Sequence, residues 1–285
     1  MFSRRVLEER LVELLREAAT DLPKEVEVSI EKALKGEKSR IARNQLKTIL
    51  ENIKIARKRS IPMCQDTGTP IFYVKHPQRV SQRELKTAII SAVKKATKEV
   101  PLRPNAVDPI TGVNTKDNTG VGVPVMHFEE WGEQRIRFDL VLKGGGSENC
   151  TYLYKLPNER LKAGRDIEGI EKCVLDAVLA TQGKACSPNI IGVGVGGLTE
   201  TCIAESKKQF LRELDDVNED KYLAAFEKML LEKINKLDIG PMGLGGKTTA
   251  LAVKIGKLHR NPPSFFVAVS FMCWACRKKT VEVEA

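Results

Sequence analysis

Ile61-Pro62-Met63-Cys64-Gln65-Asp66-Thr67-Gly68-Thr69-Pro70 separates two kinds of pattern in this chain. Before it, apolar residues recur at helical spacing; after it, the alternation of strands begins, with residues 71 to 75 as the first candidate. The stretch itself fits neither pattern. It sets a soft metal ligand, an amide, a carboxylate and two hydroxyls among prolines and a glycine, a mixture that a rigid loop presents to a ligand and that a core has no partners for. Cys64 therefore reads as a ligand or a nucleophile, and Gln65 and Asp66 as substrate contacts. The competing reading is a buried structural cysteine ahead of an ordinary Asp-Thr-Gly turn.

On the N-terminal side, residues 3 to 60 read as helical scaffold. Val6, Leu7, Leu11, Leu14 and Leu15 share a helical period, Pro23 starts a second helix that Gly36 closes, and Ile41, Leu46, Ile49, Leu50 and Ile53 form the stripe of a third. On the C-terminal side, Ser81-Gln82-Arg83-Glu84 has the form of a capping box opening a helix to about Lys98. An irregular segment follows from Pro101 through Gly120, rich in Asn, Asp and Pro, and segments of this length are functional or mobile. Within it Arg103 suits a carboxylate, or else is an exposed loop arginine. Residues 121 to 128 and 134 to 142 look like paired strands. The second runs into Lys143-Gly144-Gly145-Gly146-Ser147, where three glycines bring backbone N–H groups close to an anion. A helix over residues 166 to 182 leads into Gly183-Lys184-Ala185-Cys186-Ser187-Pro188 and a strand over 189 to 195. Strands over 248 to 255 and 264 to 272 close the pattern. The fold class expected is α+β, a helical N-terminal part (1–60) packed on a mixed β-sheet core, with 1–285 as a single domain whose remainder (61–285) carries the candidate ligand and substrate-contact residues.

Composition narrows the function classes. The net charge of +10 comes from 47 basic residues interleaved with 37 acidic ones, and aromatics are 5% of the chain, which favours solvated helix faces over a nucleic-acid surface. No apolar run reaches membrane length, and Met1-Phe2-Ser3-Arg4-Arg5 does not open a secretory signal, so a cytoplasmic protein with no membrane and no nucleic-acid partner is expected. Seven scattered cysteines do not form a secreted disulfide framework.

Two glycine-rich stretches imitate nucleotide sites. Gly192-Val193-Gly194-Val195-Gly196-Gly197 matches a dinucleotide fingerprint, but Asp215 and Asp216 end a helix where a second parallel strand is required. Gly243-Leu244-Gly245-Gly246-Lys247-Thr248-Thr249 ends like a P-loop, with Pro241 where the first glycine belongs. A nucleotide-binding regulatory module on the first stretch, and a zinc scaffold on Cys273 and Cys276, are the rival functions. Cys173 and Cys202, inside helices, read as small core residues.

Cys64, Cys186 and Cys273 share a setting: each stands in a loop or at an element boundary, beside small residues or proline. Three thiolates on a four-iron cluster leave one iron open, a Lewis acid for a hydroxyl and a carboxylate. Gln65, Asp66, Arg103, His259 and the Gly144, Gly145, Gly146 backbone would then surround a small polyanion.

Cys64-Gln65-Asp66-Thr67-Gly68, Lys143-Gly144-Gly145-Gly146-Ser147, Ala185-Cys186-Ser187-Pro188, Gly243-Leu244-Gly245-Gly246-Lys247-Thr248-Thr249 and Cys273-x-Ala275-x-Arg277 resemble, in order, segments of the class I iron-sulfur fumarate hydratases and the related L-tartrate dehydratases. The resemblance implies the N-terminal-domain fold of that family and a [4Fe-4S] cluster on Cys64, Cys186 and Cys273. It also implies substrate contacts at Gln65, Asp66, Arg103, Gly144, Gly145, Gly146 and His259. Cys150 and Cys276 depart from the family pattern. The family's single-chain members continue into a second domain with further substrate contacts and, as generally assigned, the catalytic base. This chain is therefore expected to be an alpha subunit, joining a separate beta subunit in a hetero-oligomer such as α2β2. The expected reaction is reversible hydration of fumarate to L-malate, a tricarboxylic acid cycle step, with L-tartrate dehydration as the alternative.

Overall fold

A computed structural model describes residues 3–285. Eight helices and eight strands alternate along the described chain: α1 (Arg4–Thr20), α2 (Lys24–Gly36), α3 (Arg40–Arg59), β1 (Thr69–His76), α4 (Gln82–Glu99), β2 (Val125–Glu130), β3 (Arg135–Lys143), α5 (Gly145–Glu148), β4 (Tyr152–Lys155), α6 (Ile167–Thr181), β5 (Asn189–Val195), α7 (Thr199–Lys208), α8 (Lys221–Asn235), β6 (Ala250–Lys257), β7 (Phe266–Met272) and β8 (Lys278–Glu284). The class is α+β. The chain forms two compact units, one comprising the chain up to Pro23, Glu51–Gly145 and Arg277–Ala285, the other Lys24–Leu50 and Gly146–Cys276. Among the described residues no helix is long and apolar enough to cross a membrane.

The first unit is built on a sheet of order β2-β1-β3-β8. The α1 stripe of Leu7, Leu11, Leu14 and Leu15 is buried with Leu85, Ile89 and Val93 of α4 against Phe72, Phe138 and Leu140 of the sheet. Burial of each such side chain contributes roughly 1.5–3 kcal/mol. Val6 and Ile41, counted in the apolar stripes, lie off the buried faces at 55% and 57% exposure. Ser81 precedes α4 as its N-cap residue, yet its side chain makes no capping hydrogen bond.

The expected β2-β3 hairpin does not form. β1 lies between the two strands, parallel to β2 and antiparallel to β3. The short connection from Glu130 to Arg135 only has to step across one strand, about 10 Å at the usual spacing, which four linking residues can span. Two strands went unread in sequence. One is β4; the other is β8, which pairs antiparallel with β3 along Arg135↔Glu284 to Val141↔Lys278.

The second unit holds a sheet of order β4-β7-β5-β6, in which β5 is parallel to β6 and antiparallel to β7. Alternation along β5 assigns its two faces. Ile191 and Val193 join Val174 and Val178 of α6 and Phe226, Leu230 and Ile234 of α8 in one core. On the other face a Cβ at Gly192 would stand 2.0 Å from the Ser206 carbonyl oxygen, and one at Gly194 would stand 2.1 Å from that of Cys202. The dinucleotide-like glycines thus let α7 lie directly on the strand. Gly194→Ala is accordingly expected to lower the unfolding free energy by about 1–3 kcal/mol in urea titrations, the range for overpacking a tight contact.

Candidate active site

In the first unit the Cys64 stretch is pinned at both ends. Met63, buried at 4% exposure, donates its N–H to the Ala19 carbonyl at the end of α1 (3.1 Å). Thr67, also buried, accepts the Arg103 N–H at 3.1 Å through Oγ1. Between these anchors Cys64 and Gln65 are exposed.

Asp66 ties three backbone segments together. Its Oδ1 accepts from the Gly68 N–H at 2.9 Å and from Asn105 Nδ2 at 3.4 Å, and its Oδ2 accepts from the Gly145 N–H at 2.7 Å. Both oxygens are thus engaged within the unit, and the Gly145 N–H, one of the glycine-turn donors expected to face an anion, is occupied by Asp66. The Asp66 carbonyl in turn accepts from Nη1 of Arg277.

Arg277, quoted above only as the end of the last family-like segment, has a structural role that its local sequence does not announce. It stands one position before β8 with 1% exposure, among the largest fully buried side chains of the protein. Its Nη2 would lie 3.1 Å from a Cβ on Gly144, so a side chain there would press on the guanidinium. Its Nε is buried without a hydrogen-bond partner. The signal was present: Val281 and Val283 alternate with Thr280, Glu282 and Glu284, which marks a strand able to carry Arg277 inward.

The irregular segment is ordered by side-chain amides. Asn118, 2% exposed, accepts the Asn105 N–H at 2.6 Å and donates to Thr97 Oγ1 at 3.0 Å and to the Arg103 carbonyl at 3.1 Å. Both backbone groups of Arg103 are therefore held while its side chain stays exposed. An exposed guanidinium on a fixed backbone has the donor fork that a carboxylate can take.

In the second unit Cys186 and Cys273 come together. β5 begins three residues after Cys186 and β7 ends immediately before Cys273, with Ile190 opposite Met272. The Cys186 carbonyl accepts the Trp274 N–H at 3.2 Å, and the Cys186 N–H closes a turn onto the Gly183 carbonyl at 2.9 Å. Cys186 has φ +52, a left-handed conformation uncommon for a residue with a Cβ. Gly183 is required, because a Cβ there would lie 2.5 Å from the Met242 carbonyl oxygen.

His259 is not at that end of the sheet. It follows β6 two residues after Lys257, where the Leu258 N–H donates to the Val195 carbonyl. Cys186 and Cys273 adjoin the opposite end of β5, so the strand separates them from His259 by about 20 Å at ~3.3 Å per residue. His259 lines an open pocket there with Gly197, Leu198, Thr201, Leu258, Arg260 and Asn261.

The P-loop-like stretch carries its own anion. Glu37, 4% exposed, accepts from the N–H groups of Lys38 (2.8 Å), Ser39 (2.9 Å) and Lys247 (2.7 Å). Burial pushes its pKa up, but the N–H donors of Ser39, Lys247 and Lys38 and the Lys247 charge outweigh that and hold it below the usual value of 4.5. A depressed carboxyl pKa gives stability that is present above the unfolded value and lost as the pH falls through the folded one. Unfolding free energy should therefore drop on acidification below about pH 4.5, and Glu37→Gln should flatten that part of the profile. At neutral pH this substitution should cost about 1–3 kcal/mol in urea titrations, since an amide cannot accept all three bonds.

The thiols sort cleanly by burial. Cys150, Cys173, Cys202 and Cys276 are buried, Cys64 is exposed, and Cys186 and Cys273 are intermediate. Burial pushes Cys173 up to about 12 and Cys202 up to about 11, so both remain thiols at neutral pH. Cys276, packed at 0% exposure, is likewise a core residue. Among the described residues no three His, Cys, Asp or Glu side chains gather around a single-ion site. The three thiols left accessible are Cys64 in the first unit and Cys186 and Cys273 in the second, and thiolates are the donor type that iron-sulfur clusters take.

The family model described as fumarate hydratase (fumerase) matches residues 8–282. A provisionally named class I fumarate hydratase of Geobacillus stearothermophilus is 45% identical over 282 residues, which make up 98% of this chain and 55% of that protein. The chain thus spans about half the length of that relative. A provisionally named L(+)-tartrate dehydratase subunit alpha of Methanocaldococcus jannaschii is 42% identical over 282 residues, covering 96% of this chain and 97% of its own. The L(+)-tartrate dehydratase subunit alpha of Escherichia coli strain K12 is 33% identical over 271 residues, covering 94% and 87% respectively.

Proposed function

The chain belongs to the fumarate hydratase (fumerase) family, and we propose from that premise that it is the alpha half of an iron-sulfur hydro-lyase, adding water to fumarate to give L-malate and removing it again. Cys64, Cys186 and Cys273 would hold a [4Fe-4S] cluster, and a separate beta chain would complete the enzyme in the cytoplasm. The observation that carries this reading is the thiol set: the three cysteines outside the cores are the three loop thiols, and two of them are drawn together by the Cys186–Trp274 backbone bond.

When bound, such a cluster supplies a Lewis-acidic iron to which a substrate hydroxyl can attach. The chain's own residues supply the rest. Arg103, with its backbone clamped by Thr67 and Asn118, binds a substrate carboxylate through its fork of N–H donors. Gln65, exposed beside Cys64, donates or accepts at the other polar atoms of the dicarboxylate. Asp66 acts through its neighbours, holding the Gly145 N–H and the Gly68 turn so that Gln65 and the Gly144 to Gly146 turn keep fixed positions. In dehydration the proton on the carbon next to the hydroxyl-bearing one leaves to a base, which we assign to the beta chain, while the hydroxyl departs as hydroxide. His259, at the far end of its sheet, receives no part in these steps.

L-Tartrate dehydration is the second reading, favoured by the names of the relatives that this chain spans almost end to end. Both substrates are 2-hydroxy dicarboxylates, so Arg103 and Gln65 serve either. Anaerobic co-purification with the product of a neighbouring beta-subunit gene, followed by turnover of L-malate, fumarate and L-tartrate, decides between them. Full activity of an iron-free complex would overturn both readings.

A further inference from the structure

We propose that Asn189 is a positioning residue that holds the Cys186 and Cys273 turns in one arrangement and thereby sets the spacing of two of the three thiolates. The inference rests on the cluster reading above and adds to it a residue that never touches the cofactor. Asn189 opens β5, is 2% exposed, and sits where the β5–β6 register is irregular between Asn189 and Ile190. That irregularity re-aims a side chain out of the regular alternation. Its Nδ2 donates to the Ala185 carbonyl at 2.9 Å and to the Met272 carbonyl at 3.3 Å. These carbonyls belong to the residues immediately before Cys186 and Cys273. One amide group therefore spans the two peptide units that orient the two cysteines, and the Trp274-to-Cys186 backbone bond closes the same assembly from the other side.

The amide is suited to this task for a simple chemical reason. Two carbonyl oxygens converging on one buried point need two N–H donors on one atom, and among side chains of this size only Asn supplies them without adding charge. Asp at this position is isosteric, yet it sets carboxylate oxygens against two carbonyls and forces the turns apart. Ala leaves both carbonyls without a partner. Groups that orient metal ligands from outside the coordination sphere alter metal affinity when changed, even though they bind nothing themselves.

The test uses the full chain with Asn189→Asp, Asn189→Ala and Asn218→Ala. Asn218, half-buried, ties Glu227 and the Ile255 carbonyl elsewhere in the same unit, so its variant reports the cost of losing a doubly bonded amide away from the cysteines. Cd2+ alone is titrated into the metal-free chain, read by the thiolate-to-cadmium charge-transfer band, with Cys186→Ser as the reference for a broken pair. Iron and acid-labile sulfide are measured after anaerobic reconstitution, and melting temperature is recorded for every variant. The expected result is Cd2+ affinity and cluster retention lowered about tenfold or more in both Asn189 variants, at temperatures where they remain folded, with Asn218→Ala unchanged in both. Asn189 variants that melt earlier but bind Cd2+ and retain the cluster like wild type would overturn the proposal, as would a wild-type chain whose Cd2+ band does not depend on Cys186. A wild-type chain that binds Cd2+ through Cys186 but takes up no iron and sulfide would instead sink the cluster reading, and the Cd2+ comparison would still decide the role of Asn189.

Discussion

Cys273→Ser is expected to yield a folded chain that assembles with its partner yet hydrates fumarate about a thousandfold more slowly, the loss that follows from removing a Lewis acid worth several kcal/mol. The loss comes from ligand chemistry rather than packing. Cys273 is half-buried at the end of β7, and exchanging sulfur for oxygen there removes little apolar contact. A serine hydroxyl is far less acidic than a thiol and does not replace a thiolate on iron. Cys276→Ser, three residues on, is expected to behave in the opposite way. Cys276 is fully buried, so its serine variant should lose about 1–2 kcal/mol of stability and keep iron, sulfide and turnover. Iron content and initial rates measured anaerobically on both variants check the pair. A Cys276→Ser protein that loses its metal while Cys273→Ser retains it would reverse the assignment.

Arg277→Met is expected to be the most damaging substitution that touches no thiol. The guanidinium, on the residue just before β8, donates to the Asp66 carbonyl, and methionine removes that donor and leaves a space that the fork filled. A loss of about 3 kcal/mol in urea titrations is expected from these two effects together. Because Asp66 also holds the Gly145 N–H, the disturbance reaches the Cys64-Gln65 stretch and the glycine turn, so kcat should fall even at denaturant-free conditions where the variant is folded. Arg277→Lys keeps the charge and loses the planar fork, and should recover less than half of the stability. A stable Arg277→Met enzyme with unchanged kcat would show that the contact to Asp66 is dispensable.

Several helices were legible in sequence because α1, α3, α4 and α6 each carry a long apolar stripe, and so were β5, β6 and β7, whose apolar runs are bounded by Gly and Pro. Strand order was not. Nothing local in residues 121 to 142 tells that β1 will insert between β2 and β3, since pairing is decided by contacts remote in sequence. The same limit hid Arg277: its partner Asp66 is 211 residues away, and a basic residue ahead of two lysines looks like a solvated chain end. Candidate ligands were readable because loop cysteines beside Pro, Gly and Ala differ in kind from the helix cysteines Cys173 and Cys202. The roles of Asp66 and Asn189 were not, because a carboxylate that joins two loops and one that meets a substrate have the same local sequence.

One comparison tests directly whether Cys64, Cys186 and Cys273 are the thiolates of a catalytic cluster. Each of the seven cysteines is replaced in turn by serine, the chain is purified anaerobically with its partner, and iron, acid-labile sulfide and fumarate hydration are measured on every protein. The predicted result is that variants at positions 64, 186 and 273 lose cluster and activity together, while those at 150, 173, 202 and 276 retain both when folded. A wild-type complex that hydrates fumarate at full rate without iron, or a variant at one of the three positions that keeps both cluster and activity, would contradict it.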